Sequence, residues 1–255
     1  MATGFDDAQL TALGVRRLNP DTDPQELVLP EASEERLQRI AGWLTQPPPV
    51  LREWGLHRFI DGGLRALFVG PSGTGKTMAA IVIARWADRP LYRVDPGGLV
   101  GKYIGETEKN LRALFAAADD EKAILLFEDT DAEVGDLLRR IEPYEGLAIL
   151  AVDQRANLGE DALTRLDGIV DFPMPDATAR ERLWRQALGA MKMFRTDAVD
   201  AAALAKAYEL SGADIVRAAR IAALLASSDD QPLDMELLKH AAEERVKMKD
   251  VVTAK

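Results

Sequence analysis

The 255-residue chain contains no cysteine. That excludes disulfides, thiolate metal ligands and a cysteine nucleophile. Histidine is nearly absent. His57 and His240 lie far apart, without the carboxylate pattern of a zinc site or a catalytic triad, and each reads as a surface residue or partner contact. Basic residues are outnumbered 32 to 42, which leaves a net charge of −10. Binding a phosphate backbone needs a basic surface, so no nucleic-acid partner is expected. Long apolar runs are missing too. The longest, Met78 to Ala84, falls far short of the about 20 residues of a bilayer span, so no membrane partner is expected. The opening MATGFDDAQL has neither a basic start nor an apolar stretch, which predicts no secretory signal and a cytoplasmic location. Aromatic residues make up only 6%, yet 47% of the chain is apolar and 29% charged, the balance of a globular protein with a sizeable core.

No internal repeat is present. Residues 1–24 are polar and mixed and read as a leader. Leu37, Ile40, Ala41 and Leu44 have helical spacing, which predicts a helix from Glu31 to Leu44 that Pro47-Pro48-Pro49 stops. The triplet reads as a stiff connector. From Arg65 onward short continuous apolar runs appear: Ala66–Val69, Leu91–Val94, Ala123–Phe127, Leu147–Val152 and Ile169–Phe172. Helical stretches, Met78–Trp86 and Glu108–Ala118, lie between them. Apolar strands alternating with helices predict an α/β fold, a five-stranded parallel sheet with helices on both faces. After Pro173-Met-Pro175 the strands cease. Four helices are predicted: Ala177–Ala190, Val199–Leu210, Ala213–Ala226 and Asp234–Lys249. The expected organisation is an α/β domain over 25–175 and a small helical domain over 176–255.

Between the first strand and its helix lies Gly70-Pro71-Ser72-Gly73-Thr74-Gly75-Lys76-Thr77, a match to G-x-x-x-x-G-K-[ST]. Its glycines let backbone N–H groups turn inward around phosphate oxygens. The next helix, with Met78 in its first turn, points its positive end at the same place. Lys76 is positioned for the β- and γ-phosphates and the Thr77 hydroxyl for magnesium, so ATP and Mg2+ are the expected cofactors of a P-loop NTPase fold.

With Leu99-Val-Gly-Lys-Tyr-Ile-Gly-Glu-Thr-Glu-Lys-Asn-Leu111 beside that loop, the sequence resembles the AAA+ ATPases over residues 25–249. Glu53-Trp-Gly55, Leu91-Tyr-Arg-Val-Asp95 and Asp171-Phe-Pro-Met-Pro-Asp176 are similar to the AAA ATPases encoded with phage-tail-like contractile injection systems. The resemblance implies a self-associating ring that uses ATP to remodel a protein substrate or particle component, with the helical domain as a lid. It implies that Lys102, Tyr103, Ile104 and Gly105 form a pore loop that grips an extended chain. The alternative is a Tyr103 packed at a loop base. It also implies that Gly212 and Ala213, in Ser211-Gly-Ala-Asp214, approach the nucleotide base, while Ser211 caps a helix.

Several positions depart from the family pattern. Ile124-Leu-Leu-Phe-Glu128-Asp129 reverses the usual Asp-Glu order. Glu128 is then the magnesium residue and Asp129 the water-orienting one, one methylene short. An acidic surface turn is the other reading. The stretch from Asp131 to Gly146 is short, which puts a second pore loop in doubt. Asp153 stands where the family has a sensor Asn, and an ionised Asp accepts but does not donate. It is either a surviving sensor or a cap of the following turn. Of the family's paired arginines only Arg165 remains, either a donor into the next subunit's site or a surface partner of Glu160 or Asp161. These departures predict weakened hydrolysis by a ring ATPase. The alternative is a nucleotide-binding assembly subunit without significant turnover.

Overall fold

A computed structural model describes residues 10–11, 13–19, 23–45, 53, 63–99, 106–128, 134–154, 160–191, 199–228 and 231–253. In chain order the elements are β1 (Val15–Leu18), α1 (Glu31–Thr45), β2 (Leu64–Val69), α2 (Lys76–Ala87), β3 (Leu91–Val94), α3 (Pro96–Leu99), α4 (Glu106–Asp120), β4 (Ile124–Phe127), α5 (Val134–Arg140), β5 (Leu147–Val152), α6 (Glu160–Leu163), β6 (Gly168–Asp171), α7 (Ala177–Gly189), α8 (Ala201–Ala207), α9 (Gly212–Ser228) and α10 (Met235–Thr253). By contacts the chain divides into two units. One comprises 1–70 and 76–172, the other 71–75 and 173–255.

In the first unit the strand order is β1-β3-β4-β5-β2-β6. Five strands run parallel, as the apolar runs predict. The sixth, β1, lies antiparallel to β3 with Val15 opposite Val94. It falls inside the stretch read as a leader, which is therefore not wholly so. Its core, Arg16-Arg17, is solvated, and only Val15 is buried. An edge strand made through backbone pairing leaves little hydrophobic pattern to read.

The central strands alternate between two cores. Leu67, Val69, Leu125, Phe127, Leu150 and Val152 face α4 and α5 through Leu111, Leu114, Leu137 and Leu138. Phe68, Leu126 and Ile149 face the other way, onto Leu37 of α1 and Ala80 and Ile83 of α2. Burial on both faces explains why these strands read as unbroken apolar runs. Each large aliphatic side chain so buried contributes roughly 1.5–3 kcal/mol. The sheet thereby brings the C-terminal ends of β2, β4 and β5 to one edge, where Gly70, Glu128 and Asp153 follow.

The second unit packs α7 to α10 around Trp184, Leu204, Leu210, Ile215 and Leu238. Asp176 caps α7 by accepting from the Ala179 N–H at 2.7 Å, and Asp200 caps α8 by accepting from Ala203 at 2.9 Å. Four helices were expected here, and four are present among the described residues. Among the described residues no helix is long and apolar enough to cross a membrane.

Candidate functional site

Gly70 follows β2, its N–H donating to the Val152 carbonyl at 3.1 Å. A Cβ here would lie 2.0 Å from the Phe172 carbonyl oxygen, so the passing chain after β6 admits only glycine. Two residues of the first turn of α2 face the ends of β4 and β5. Lys76 Nζ donates to the Gly70 carbonyl and reaches Asp153 Oδ1 at 2.8 Å. The Thr77 hydroxyl donates to Glu128 Oε1. The other Glu128 oxygen, Oε2, meets Arg93 Nε at 2.6 Å. Lys76 and Glu128 are largely buried, while Asp153 and Arg93 are about half exposed. Met78 follows in the same turn, partly buried.

The loop residues 71–75 belong to the second unit. The Thr74 hydroxyl donates to the Pro71 carbonyl at 2.8 Å. Gly73 has φ +81°, a conformation side chains resist, and a Cβ there would meet Ser211 Oγ at 2.7 Å. The Gly73 carbonyl accepts from the Ala213 N–H at 3.1 Å. Ser211 caps α9, with Oγ accepting from the Asp214 N–H at 3.3 Å and donating to its carboxylate at 2.7 Å. Asp214 is buried and held by Arg245 of α10 at 2.6 Å. Gly212 and Ala213 thus start a helix whose first turn is bound to the loop. The expected N-cap role of Ser211 is present.

A hydroxyl and a carboxylate in contact are hard oxygen donors of the kind magnesium accepts, and Lys76 beside them supplies a cation for phosphate. Magnesium in such sites keeps waters and phosphate oxygens as further ligands. The donor set therefore fits although no group of three or more His, Cys, Asp or Glu converges among the described residues.

Asp153 lies against Lys76 rather than at a turn alone, an arrangement neither reading of its spacing specified. Arg165 is paired with Glu142 at 3.3 Å, not with Glu160 or Asp161 as expected for a surface partner. Both partners are exposed, so the pair restrains Arg165 weakly. His240 is exposed beside Glu244 at 3.6 Å, as its surface assignment expects. Asp129 and the segment Lys102, Tyr103, Ile104 and Gly105 lie outside the described residues, as does His57. Arg93 was missed. It is the one charged residue of a strand neighbouring β4, but its partner is 35 positions away and no local spacing joins them.

Residues 66–146 match the family described as "ATPase family associated with various cellular activities (AAA)". The chain is similar to proteasome-activating nucleotidase 1 of Haloferax volcanii, 28% identical over 258 residues, 85% of this chain and 62% of the relative. It is 29% identical over 223 residues to proteasome-activating nucleotidase of Methanocella arvoryzae, covering 77% of this chain and 52% of the relative. It is also 27% identical over 238 residues to ATP-dependent zinc metalloprotease FtsH of Magnetococcus marinus, 83% and 34% respectively. The chain spans less than two thirds of the length of each of these relatives. None of the three is named as an ATPase of a contractile injection system, the subgroup that the motifs around Glu53, Leu91 and Asp171 resemble.

Proposed function

We propose that this chain, whose residues 66–146 match the AAA ATPase family, is an ATP-binding, magnesium-using protein that assembles into a ring and remodels a protein complex. The observation that carries the reading is the convergence of Lys76, Thr77 and Glu128 at the sheet edge where the phosphate loop begins. Similarity to proteasome-activating nucleotidases supports the ring and the protein substrate. The motifs around Glu53, Leu91 and Asp171 support a contractile injection particle as that substrate. A cytoplasmic location fits both.

Magnesium, when bound, supplies charge neutralisation at the phosphates. Lys76 and the N–H groups of the loop, Pro71 excepted, hold phosphate oxygens, and Thr77 and Glu128 present oxygen ligands. Asp129 orients the attacking water from one methylene further back than a glutamate. Arg165 supplies positive charge to a neighbour's site, which requires it to leave Glu142. Gly212 and Ala213 border the nucleotide base. Tyr103, with Lys102, Ile104 and Gly105, contacts the protein substrate.

The second reading is an assembly subunit in which nucleotide is bound without significant turnover. The Lys76–Asp153 pair favours it, because an acid in contact with the phosphate-binding cation opposes the negative charge of a γ-phosphate. Calorimetry of Mg-ADP and Mg-ATP beside a phosphate-release assay separates the readings. Binding with measurable release supports the ATPase, binding without release the assembly subunit, and no binding overturns both.

A further inference from the structure

Glu128 is a longer side chain than the aspartate that the resembled family places at this position, and its extra rotatable bond must be restrained if its carboxylate is to serve a metal. Its two oxygens have separate partners. Oε1 accepts from the Thr77 hydroxyl, the side on which the donor set for magnesium lies. Oε2 is held by Arg93 Nε at 2.6 Å. Arg93 projects from β3, which runs parallel to β4 with Arg93 opposite Leu126, so its side chain reaches diagonally forward to the residue just past the end of β4. It is the one exposed residue of β3, whose other three side chains are buried, so the core does not require it.

We propose that Arg93 is a positioning residue that fixes the carboxylate of Glu128 for magnesium. The proposal rests on the nucleotide-binding reading above. Arg93 occupies the oxygen remote from Thr77, so the guanidinium orients the ligand and leaves Oε1 to the metal side. A group that orients a metal ligand in this way is typically worth 10–100-fold in metal affinity. An uncharged side chain at 93 leaves Glu128 free to rotate, whereas lysine restores a charge on a flexible stem without the planar geometry of the guanidinium.

The test is calorimetric titration of ADP in excess Mg2+ and in EDTA, for wild type, Arg93→Met and Arg93→Lys. The expected result is an unchanged ADP affinity in EDTA for all three. The gain on adding Mg2+ should fall about tenfold in Arg93→Met and be partly restored in Arg93→Lys. The ligand-free thermal midpoint should stay put in both variants, because the pair is half exposed on the arginine side. In a Glu128→Gln background, Arg93→Met should have no further effect on the Mg2+ gain, since the partner it positions is already lost. An undiminished or enlarged Mg2+ gain in Arg93→Met overturns the positioning role while wild-type binding leaves the functional reading intact. A wild type that binds no ADP in either buffer overturns both.

Discussion

Lys76 is engaged on the Gly70 carbonyl and on Asp153 at 2.8 Å. On the proposed reading, a phosphate shares or displaces that acid. Asp153→Asn keeps the shape and removes the charge, so ADP is expected to bind about twofold to fivefold tighter, the size of a partly exposed ion pair. Calorimetry checks this, and weaker binding in Asp153→Asn would instead assign Asp153 a direct role in holding nucleotide. Lys76→Ala removes a charge-assisted phosphate contact worth roughly 1.5–3 kcal/mol, a loss of about tenfold to a hundredfold in affinity by the same measurement. The reversed acids carry a third expectation. Asp129→Glu lengthens the side chain proposed to orient water while leaving Glu128 on Arg93. Misplacement of about 1 Å at a reacting centre can cost on the order of a hundredfold, so this single change should raise the phosphate-release rate several-fold. A drop in that rate would show that the site is adapted to the order it has.

Between α5 and β5 the chain is tied by two buried side chains that no catalytic argument needs. Arg65 of β2 is buried and donates to the carbonyls of Ile141, Glu142 and Tyr144 at 3.0, 2.9 and 2.7 Å. These follow the end of α5, where carbonyls lack helical partners and favour a cation. Burial lowers the Arg65 pKa, partly offset by Asp167. The Tyr144 hydroxyl donates to the Ala123 carbonyl at 2.5 Å, just before β4. Burial, and secondarily Asp119, push its pKa well above the usual tyrosine value. The neutral phenol is therefore favoured in the folded state. Its stabilisation is fully present below the unfolded-state pKa of about 10 and is lost as pH rises beyond it. Urea unfolding should show stability falling above pH about 10 more steeply in wild type than in Tyr144→Phe. At neutral pH Tyr144→Phe should cost about 1 kcal/mol for the lost hydrogen bond. An identical alkaline slope in the two proteins would remove Tyr144 from the account.

For the whole molecule the central expectation is association in the presence of ATP. Arg165 is exposed and only loosely held by Glu142, so it is available to a second copy. Head-to-tail contacts of this kind close into rings when the rotation permits. Light scattering should report a larger particle with Mg-ATP than without, and Arg165→Ala should reduce the difference. A monomer in every condition at high concentration would count decisively against the ring.

The placement of the glycine-rich motif between a strand and a helix was legible because the motif is local. Eight consecutive residues hold the glycines, the cation and the hydroxyl, and chain continuity keeps them together whatever surrounds them. The sheet was legible for a similar reason, since burial on both faces leaves its mark as continuous apolar runs. The helices after Pro173 were legible because strand-like runs cease there and Ser211-Gly212 and 227–232 punctuate the rest. Other features needed the fold. β1 is held by backbone pairing at an edge, and its two arginines carry no periodic signal. The pairs Lys76–Asp153 and Arg93–Glu128 join residues on different elements, brought together by strand order and register. Arg165 finds Glu142 rather than its own neighbours for the same reason. Sequence determined which groups stand at the ends of the strands. Tertiary structure decided which charges face each other there, because that depends on register across the sheet and on side-chain direction, and neither is encoded in short-range spacing.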